Sequence, residues 1–60
     1  MDRIDTQIIA QLQADGRLSI TELSERVGLT PTPCARRVQR LEADGVITGY
    51  TARVDPAMLG

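Results

Sequence analysis

Sixty residues make one small domain with no room for a second, and a chain this short buries only about 60% of the surface it exposes when unfolded. A composition of 42% hydrophobic and 25% charged residues is an ordinary globular balance and excludes a disordered chain. The net charge of −1, built from seven arginines and no lysine against eight acids, argues against a globally basic polyanion binder.

In chain order, the first element predicted is a helix. Ile4, Ile8 and Leu12 recur every fourth residue, and Ile9 widens the stripe. Asp2 is the expected N-cap, with Asp5 in the first turn where the helix dipole favours an acid. Gly16 is expected to end the segment as a left-handed residue.

The second helix starts on a capping box, Ser19-Ile20-Thr21-Glu22, flanked by Leu18 and Leu23 as a hydrophobic staple. Ile20, Leu23 and Val27 share its inner face. Gly28 stops it, and Leu29 folds back as the apolar partner of a Schellman-type end.

The third helix, predicted over 31–44, begins immediately. Thr30 is its N-cap and Pro31 occupies N1, where a missing N–H costs nothing. Pro33 is tolerable at N3, because the first four N–H groups of a helix have no intrahelical partner, although it disfavours helical backbone at Thr32. Cys34, Val38 and Leu41 form the apolar stripe, and Gly45 ends the helix.

After Gly45 the period changes to two. Val46, Tyr50, Ala52 and Val54 fall on one side of a segment rich in β-branched residues and closed by Asp55-Pro56, which predicts a strand over 46–54. A lone strand cannot stand in water, so it needs a partner outside these sixty residues or a small hairpin. The fold expected is mainly α: a three-helix, winged-helix-like helix-turn-helix domain over 1–45, then a linker strand within 46–60.

The charge map gives the total its meaning. Residues 1–30 carry three arginines against five acids, a net −2, whereas 31–44 carry Arg36, Arg37 and Arg40 against Glu42 and Asp44, a net +1. With Cys34 at zero on a wheel of roughly 100° per residue, Val38 and Leu41 lie within about 40° of it. Thr32, Arg36, Gln39 and Arg40 fall at about 140–240°, on the opposite face, and Arg37 lies on the shoulder at about 300°. Arg can bind guanine bidentately, Gln can bind adenine, and a Thr near the N-terminus can reach a phosphate or a thymine methyl. A Gly-containing connection of three residues between two helices is the helix-turn-helix arrangement, whose second helix docks in the major groove. Double-stranded DNA is therefore the expected partner, with Thr30, Thr32, Arg36, Arg37, Gln39 and Arg40 as candidate contacts.

The bland readings run alongside. An exposed arginine is most often merely solvated, Cys34 is a small core residue, and Tyr50 packs rather than stacks on bases. For Asp5, which falls inside the apolar arc of the first helix, capping is the simpler account and pairing with Arg37 the sharper one. The rival of another class is a small three-helix protein-interaction module without DNA affinity. Enzyme activity is not expected: there is no histidine, no Gly-rich phosphate loop and no nucleophile–base pair, and no cofactor or metal is called for. One cysteine allows no internal disulfide and fits a reducing, cytoplasmic setting. No apolar run exceeds three residues, so no membrane span is predicted.

The string Val27-Gly28-Leu29-Thr30-Pro31-Thr32-Pro33-Cys34, with Arg37-Val38-Gln39-Arg40-Leu41-Glu42 and Gly45-Val46-Ile47-Thr48-Gly49-Tyr50, resembles the leucine-responsive regulatory protein/AsnC family of transcription regulators. Asp2-Arg3-Ile4-Asp5 running to Ile8-Ile9 and Leu12 matches the family's opening too, so the resemblance spans essentially the whole chain. It implies a DNA-binding domain that acts as a homodimer, with the strand over 46–54 pairing with its counterpart. It also implies a second, α/β domain beyond residue 60 that dimerises and through which an amino-acid effector would act. A recombinase or sigma-type helix-turn-helix module matches residues 28–42 less well.

Overall fold

A computed structural model describes residues 1–59. Three helices form from the local signals above: α1 (Arg3–Ala14), α2 (Ile20–Val27) and α3 (Pro31–Ala43), followed by a 3₁₀ turn at Pro56–Met58. Asp2 caps α1, its Oδ1 accepting from the Asp5 N–H at 2.9 Å. The capping box of α2 closes in both directions: Ser19 Oγ accepts from the Glu22 N–H at 3.1 Å, and Glu22 Oε1 accepts from the Ser19 N–H at 3.0 Å. Two orphan donors are thereby satisfied by four residues of sequence.

The turn between α2 and α3 is built from Gly28, Leu29 and Thr30. Gly28 takes φ 74° and ψ 30°, the left-handed region that a Cβ disfavours. Its N–H and that of Leu29 both bond back to the Ser24 carbonyl, the latter at 2.9 Å, and Leu29 lies half-buried against the core. Gly45 repeats the device after α3: at φ 74° it lets the Val46 N–H reach the Leu41 carbonyl at 3.0 Å.

The core sits where the three helices meet. Ile8 from α1, Leu23 and Val27 from α2, and Cys34, Val38 and Leu41 from α3 are buried, and Ile4, Ile9, Leu12, Leu18, Ile20, Leu29 and Ile47 pack around them. The one buried polar side chain among the described residues, Ser24, donates its hydroxyl to the Thr21 carbonyl at 2.7 Å. Cys34 is fully buried and free, the packing role expected of it, and burial pushes its thiol pKa up.

Three expectations need correction. Gly16 is not left-handed; α1 ends on Asp15 in extended backbone, whose Oδ1 accepts from the Arg17 N–H at 3.0 Å. An Asx-type turn does the work assigned to the glycine. The third helix ends at Ala43 with Asp44 as its C-cap, one residue short of the expected 44, while Thr30 is its N-cap as expected, though its hydroxyl makes no capping bond. Finally, 46–54 forms no strand. Strand backbone is stable only when its N–H and C=O groups find a ladder, and the described chain supplies no second strand.

The parity of that segment differs as well. The Val46 and Ile47 N–H groups converge on the Leu41 carbonyl, turning Ile47 in against the core and Val46 out. Val46, Tyr50 and Val54, the apolar side of the expected strand, are each about half exposed, at 47, 51 and 54%. The Tyr50 hydroxyl donates to Glu42 Oε2 at 3.0 Å, and its ring edge lies beside Gly16, holding the segment near the end of α1. Beyond that anchor the chain projects. The radius of gyration is 13.1 Å, against roughly 10 Å for a compact body of sixty residues.

Candidate nucleic-acid interface

α3 divides into two faces. Cys34, Val38 and Leu41 bury one side against α1 and α2, while Thr32, Arg36, Gln39 and Arg40 are exposed on the other. The inner stripe holds the outer one in place: rotating α3 to hide Arg36 would expose Val38. Thr30 is exposed at the head of the same helix, its hydroxyl uncommitted. Five of the six candidate contacts therefore share one accessible side of α3 and its N-terminal turn. It is the side opposite the buried stripe, exposed as entry into a groove requires.

The head of α3 is poorer in donors than an ordinary helix start. Pro31 and Pro33 carry no N–H, and the Cys34 N–H is taken by the Thr30 carbonyl at 3.3 Å. Of the first three helical positions only Thr32 keeps a backbone donor. Polar contact there falls mainly to the hydroxyls of Thr30 and Thr32 and to the helix dipole.

Arg37 is placed differently. It is half-buried on the shoulder, and its Nη1 donates to Asp2 Oδ1 at 2.8 Å, Asp2 Oδ2 at 2.7 Å and Asp5 Oδ1 at 3.1 Å. Asp5, at 15% exposure, is the more buried of the two acids. The sharper reading of Asp5, pairing with Arg37, is thus present, while Asp2 is the N-cap. These bonds hold the Asp2 carboxyl below the usual carboxylate range, the Arg37 hydrogen bond contributing most and the Asp5 N–H next. They also raise the Arg37 pKa further. Arg36 and Arg40 flank this cluster, and with Arg37, Asp2 and Asp5 they line a recess of about 250 Å³.

A larger recess of about 930 Å³ lies between the end of α1 and residues 46–53. It is an open groove beneath the projecting segment and shares no lining residue with the recess at Arg36 and Arg40. Among the described residues no cluster of three acids, cysteines or histidines is placed to hold a metal, and no helix is long and apolar enough to cross a membrane.

A short glycine turn, a buried stripe on the second helix and a polar, arginine-bearing reverse face together define a helix-turn-helix. The profile of the winged helix-turn-helix DNA-binding family matches residues 1–48, and the chain belongs to that family. Within it, the resemblance to leucine-responsive/AsnC regulators is close. The chain is 59% identical over 59 residues to the leucine-responsive regulatory proteins of Escherichia coli K12 and Salmonella typhimurium, covering 98% of itself and 36% of them. Among solved structures it is similar to a transcriptional regulator of Neisseria meningitidis in complex with L-methionine. There the TM-score is 0.95 and the identity 44%, over 98% of this chain and 38% of that one. It is also similar to an AsnC family transcriptional regulator from Agrobacterium tumefaciens, with a TM-score of 0.93 and 46% identity over 98% and 39% of the two chains. The three-helix architecture and the function class read from the sequence, DNA binding in transcription regulation, are those of these relatives. The chain spans little more than a third of their length.

Proposed function

We propose that this chain is the DNA-reading part of a transcription regulator, with α3 in the major groove of a double-stranded site. The observation that carries the reading is the outward Thr32/Arg36/Gln39/Arg40 face, backed by the buried Cys34/Val38/Leu41 stripe. Arg36 and Gln39 are suited to base edges, and Arg40 with Thr30 and Thr32 to phosphates and methyl groups. Nothing in this arrangement pairs a nucleophile with a base, so the domain acts by binding rather than catalysis, in the cytoplasm where DNA and reduced thiols coexist.

A single module of this size buries about 600–1,000 Å² on DNA, too little for tight selective binding. We infer a homodimer on adjacent half-sites. The exposed, unpaired segment 46–54 would gain its missing ladder from a second copy, and residues 46–60 would lead on into a further domain. An amino-acid effector, if one acts, would do so through that further domain and not through residues 1–45.

The test is a duplex titration over a range of salt, after selection of a preferred site from random oligonucleotides. Arg36→Ala should weaken binding to that site by about 1–3 kcal/mol and relax the preference at one base pair. Arg40→Ala should weaken all duplexes alike and make the salt dependence shallower. Salt-insensitive binding, or full affinity in both variants, overturns the assignment and favours a protein-interaction module.

A further inference from the structure

Three arginines fall within five residues of α3, yet one of them differs from the other two. Arg36 and Arg40 are exposed and make no hydrogen bond or ion pair among the described residues, whereas Arg37 is held by two carboxylates from the start of α1. The cluster of Arg37, Asp2 and Asp5 carries a net −1, so it has no free cation to offer a phosphate. Its geometry serves another end. Asp2 uses one carboxylate both to cap α1 and to grip α3, and Asp5, one turn on, grips the same guanidinium nitrogen. These are the only ion pairs among the described residues, and both join α1 to α3.

We propose that Arg37 is a positioning residue for DNA recognition: clamped by Asp2 and Asp5, it fixes how α3 lies against α1 and hence how Arg36 and Arg40, one residue before and three after it, are presented. The proposal rests on the DNA-reading assignment above and refines it by giving Arg37, one of the six candidate contacts, a role other than touching DNA. α3 is held on its apolar side by Cys34, Val38 and Leu41, a greasy contact that tolerates small rotations. A directional, charge-assisted bond on the shoulder removes that freedom where a degree of rotation matters, next to the contacting side chains.

The clamp makes a prediction opposite in sign to simple electrostatics. Asp2 and Asp5 line the same recess as Arg36 and Arg40, so neutralising either acid should, on charge alone, strengthen attraction to DNA. Under the clamp, Asp2→Asn and Asp5→Asn weaken binding to the selected site, by roughly threefold or more, as coupled neighbours do. Arg37→Gln does the same without changing the slope of log affinity against log salt. Arg40→Gln, by contrast, lowers that slope by about 0.9 through the loss of its phosphate contact. Arg37→Lys, which keeps the charge but ends in a compact ammonium on a shorter side chain, does not restore full affinity.

Duplex titrations of these variants, each confirmed as folded by circular dichroism, decide the matter. Asp2→Asn, at a largely exposed side chain, is the variant least able to disturb folding. Unchanged or tighter binding in Asp2→Asn and Asp5→Asn, or a shallower salt slope in Arg37→Gln, overturns the proposal. If the wild-type chain binds no duplex, the DNA-reading assignment has failed, and the clamp is judged on the free protein. Coupled effects of Asp5→Asn and Arg37→Gln on thermal unfolding then sustain it as an α1–α3 tether, and additive effects dispose of it.

Discussion

The α2–turn–α3 unit and the segment after Gly45 are both patterned with regularly spaced apolar residues, but only the first becomes regular structure. In α2 and α3 the signals that start and stop each helix lie within a few residues of one another: Ser19 and Glu22 satisfy each other, Gly28 turns the chain, and Pro31 starts the next helix. Residues 46–54 carry the β-branched alternation of a strand, but a strand's hydrogen bonds belong to its neighbour. Without one, the segment forms no regular structure and is tethered by the Tyr50–Glu42 bond. Helical signals are self-contained, and strand signals are conditional.

That contrast can be broken by paired substitutions. The largest difference is expected between Leu23→Ala and Val54→Ala. Leu23 is 1% exposed at the junction of the helices, and its truncation should cost about 2–5 kcal/mol. A sixty-residue domain has only about 3–9 kcal/mol to lose, so this variant should give up a large share of its stability, seen as a strongly lowered urea midpoint. Val54→Ala, at a half-exposed position, should change the monomer by less than about 0.5 kcal/mol. Its effect should instead appear as weaker self-association in sedimentation at rising concentration. A large loss of monomer stability there would mean that the segment is more tightly integrated than its exposure indicates.

Two glycines sharpen the same point. A Cβ at either Gly28 or Gly49 meets open space, so any difference between them is conformational. Gly28→Ala must hold a side chain at φ 74°, which should cost about 1–2 kcal/mol in urea unfolding. Gly49→Ala, free of that constraint, should be close to neutral. Equal costs at the two sites would refute the claim that the turn is encoded by its backbone.

Acid should act on the helical unit through its caps. Bonds from Arg37 and the Asp5 N–H hold the Asp2 carboxyl below its ordinary value of 3.8, and bonds from the Ser19 N–H and hydroxyl hold Glu22 below 4.5. A lowered folded-state pKa contributes stability that is complete above the unfolded value and disappears as pH falls through the folded one. Acid unfolding should therefore set in below about pH 4 and be shallower in Asp2→Asn. A stability curve unaffected by that substitution would show that the cap and clamp contribute nothing by ionisation. Both groups are exposed, so this is a small effect.

Much of the fold was legible for physical reasons that these residues make plain. Asp2, Ser19, Glu22, Gly28 and Gly45 each answer a local backbone need, and the period of Cys34, Val38 and Leu41 states which side of α3 is buried. The same arithmetic placed Arg36, Gln39 and Arg40 outward. Arg37 was legible as a shoulder position and as the sharper partner for Asp5, but its second partner, Asp2, was not. Whether it faces solvent or α1 depends on where Asp2 and Asp5 come to rest, thirty-odd residues away in sequence. Gly16 was misread because a glycine after a helix looks like a left-handed cap even when the preceding Asp makes the turn with its side chain. The parity at Val46 and Ile47 was hidden because the Gly45 turn, rather than strand alternation, decides which of the two points inward.

The fully enclosed Cys34 sulfur gives the molecule its own stopwatch. A thiol reagent can reach it only after the helices part, so the labelling rate in a native buffer reads the open fraction at low reagent and the opening rate at saturating reagent. The domain thus reports its internal breathing from the helix whose other side carries Arg36, Gln39 and Arg40.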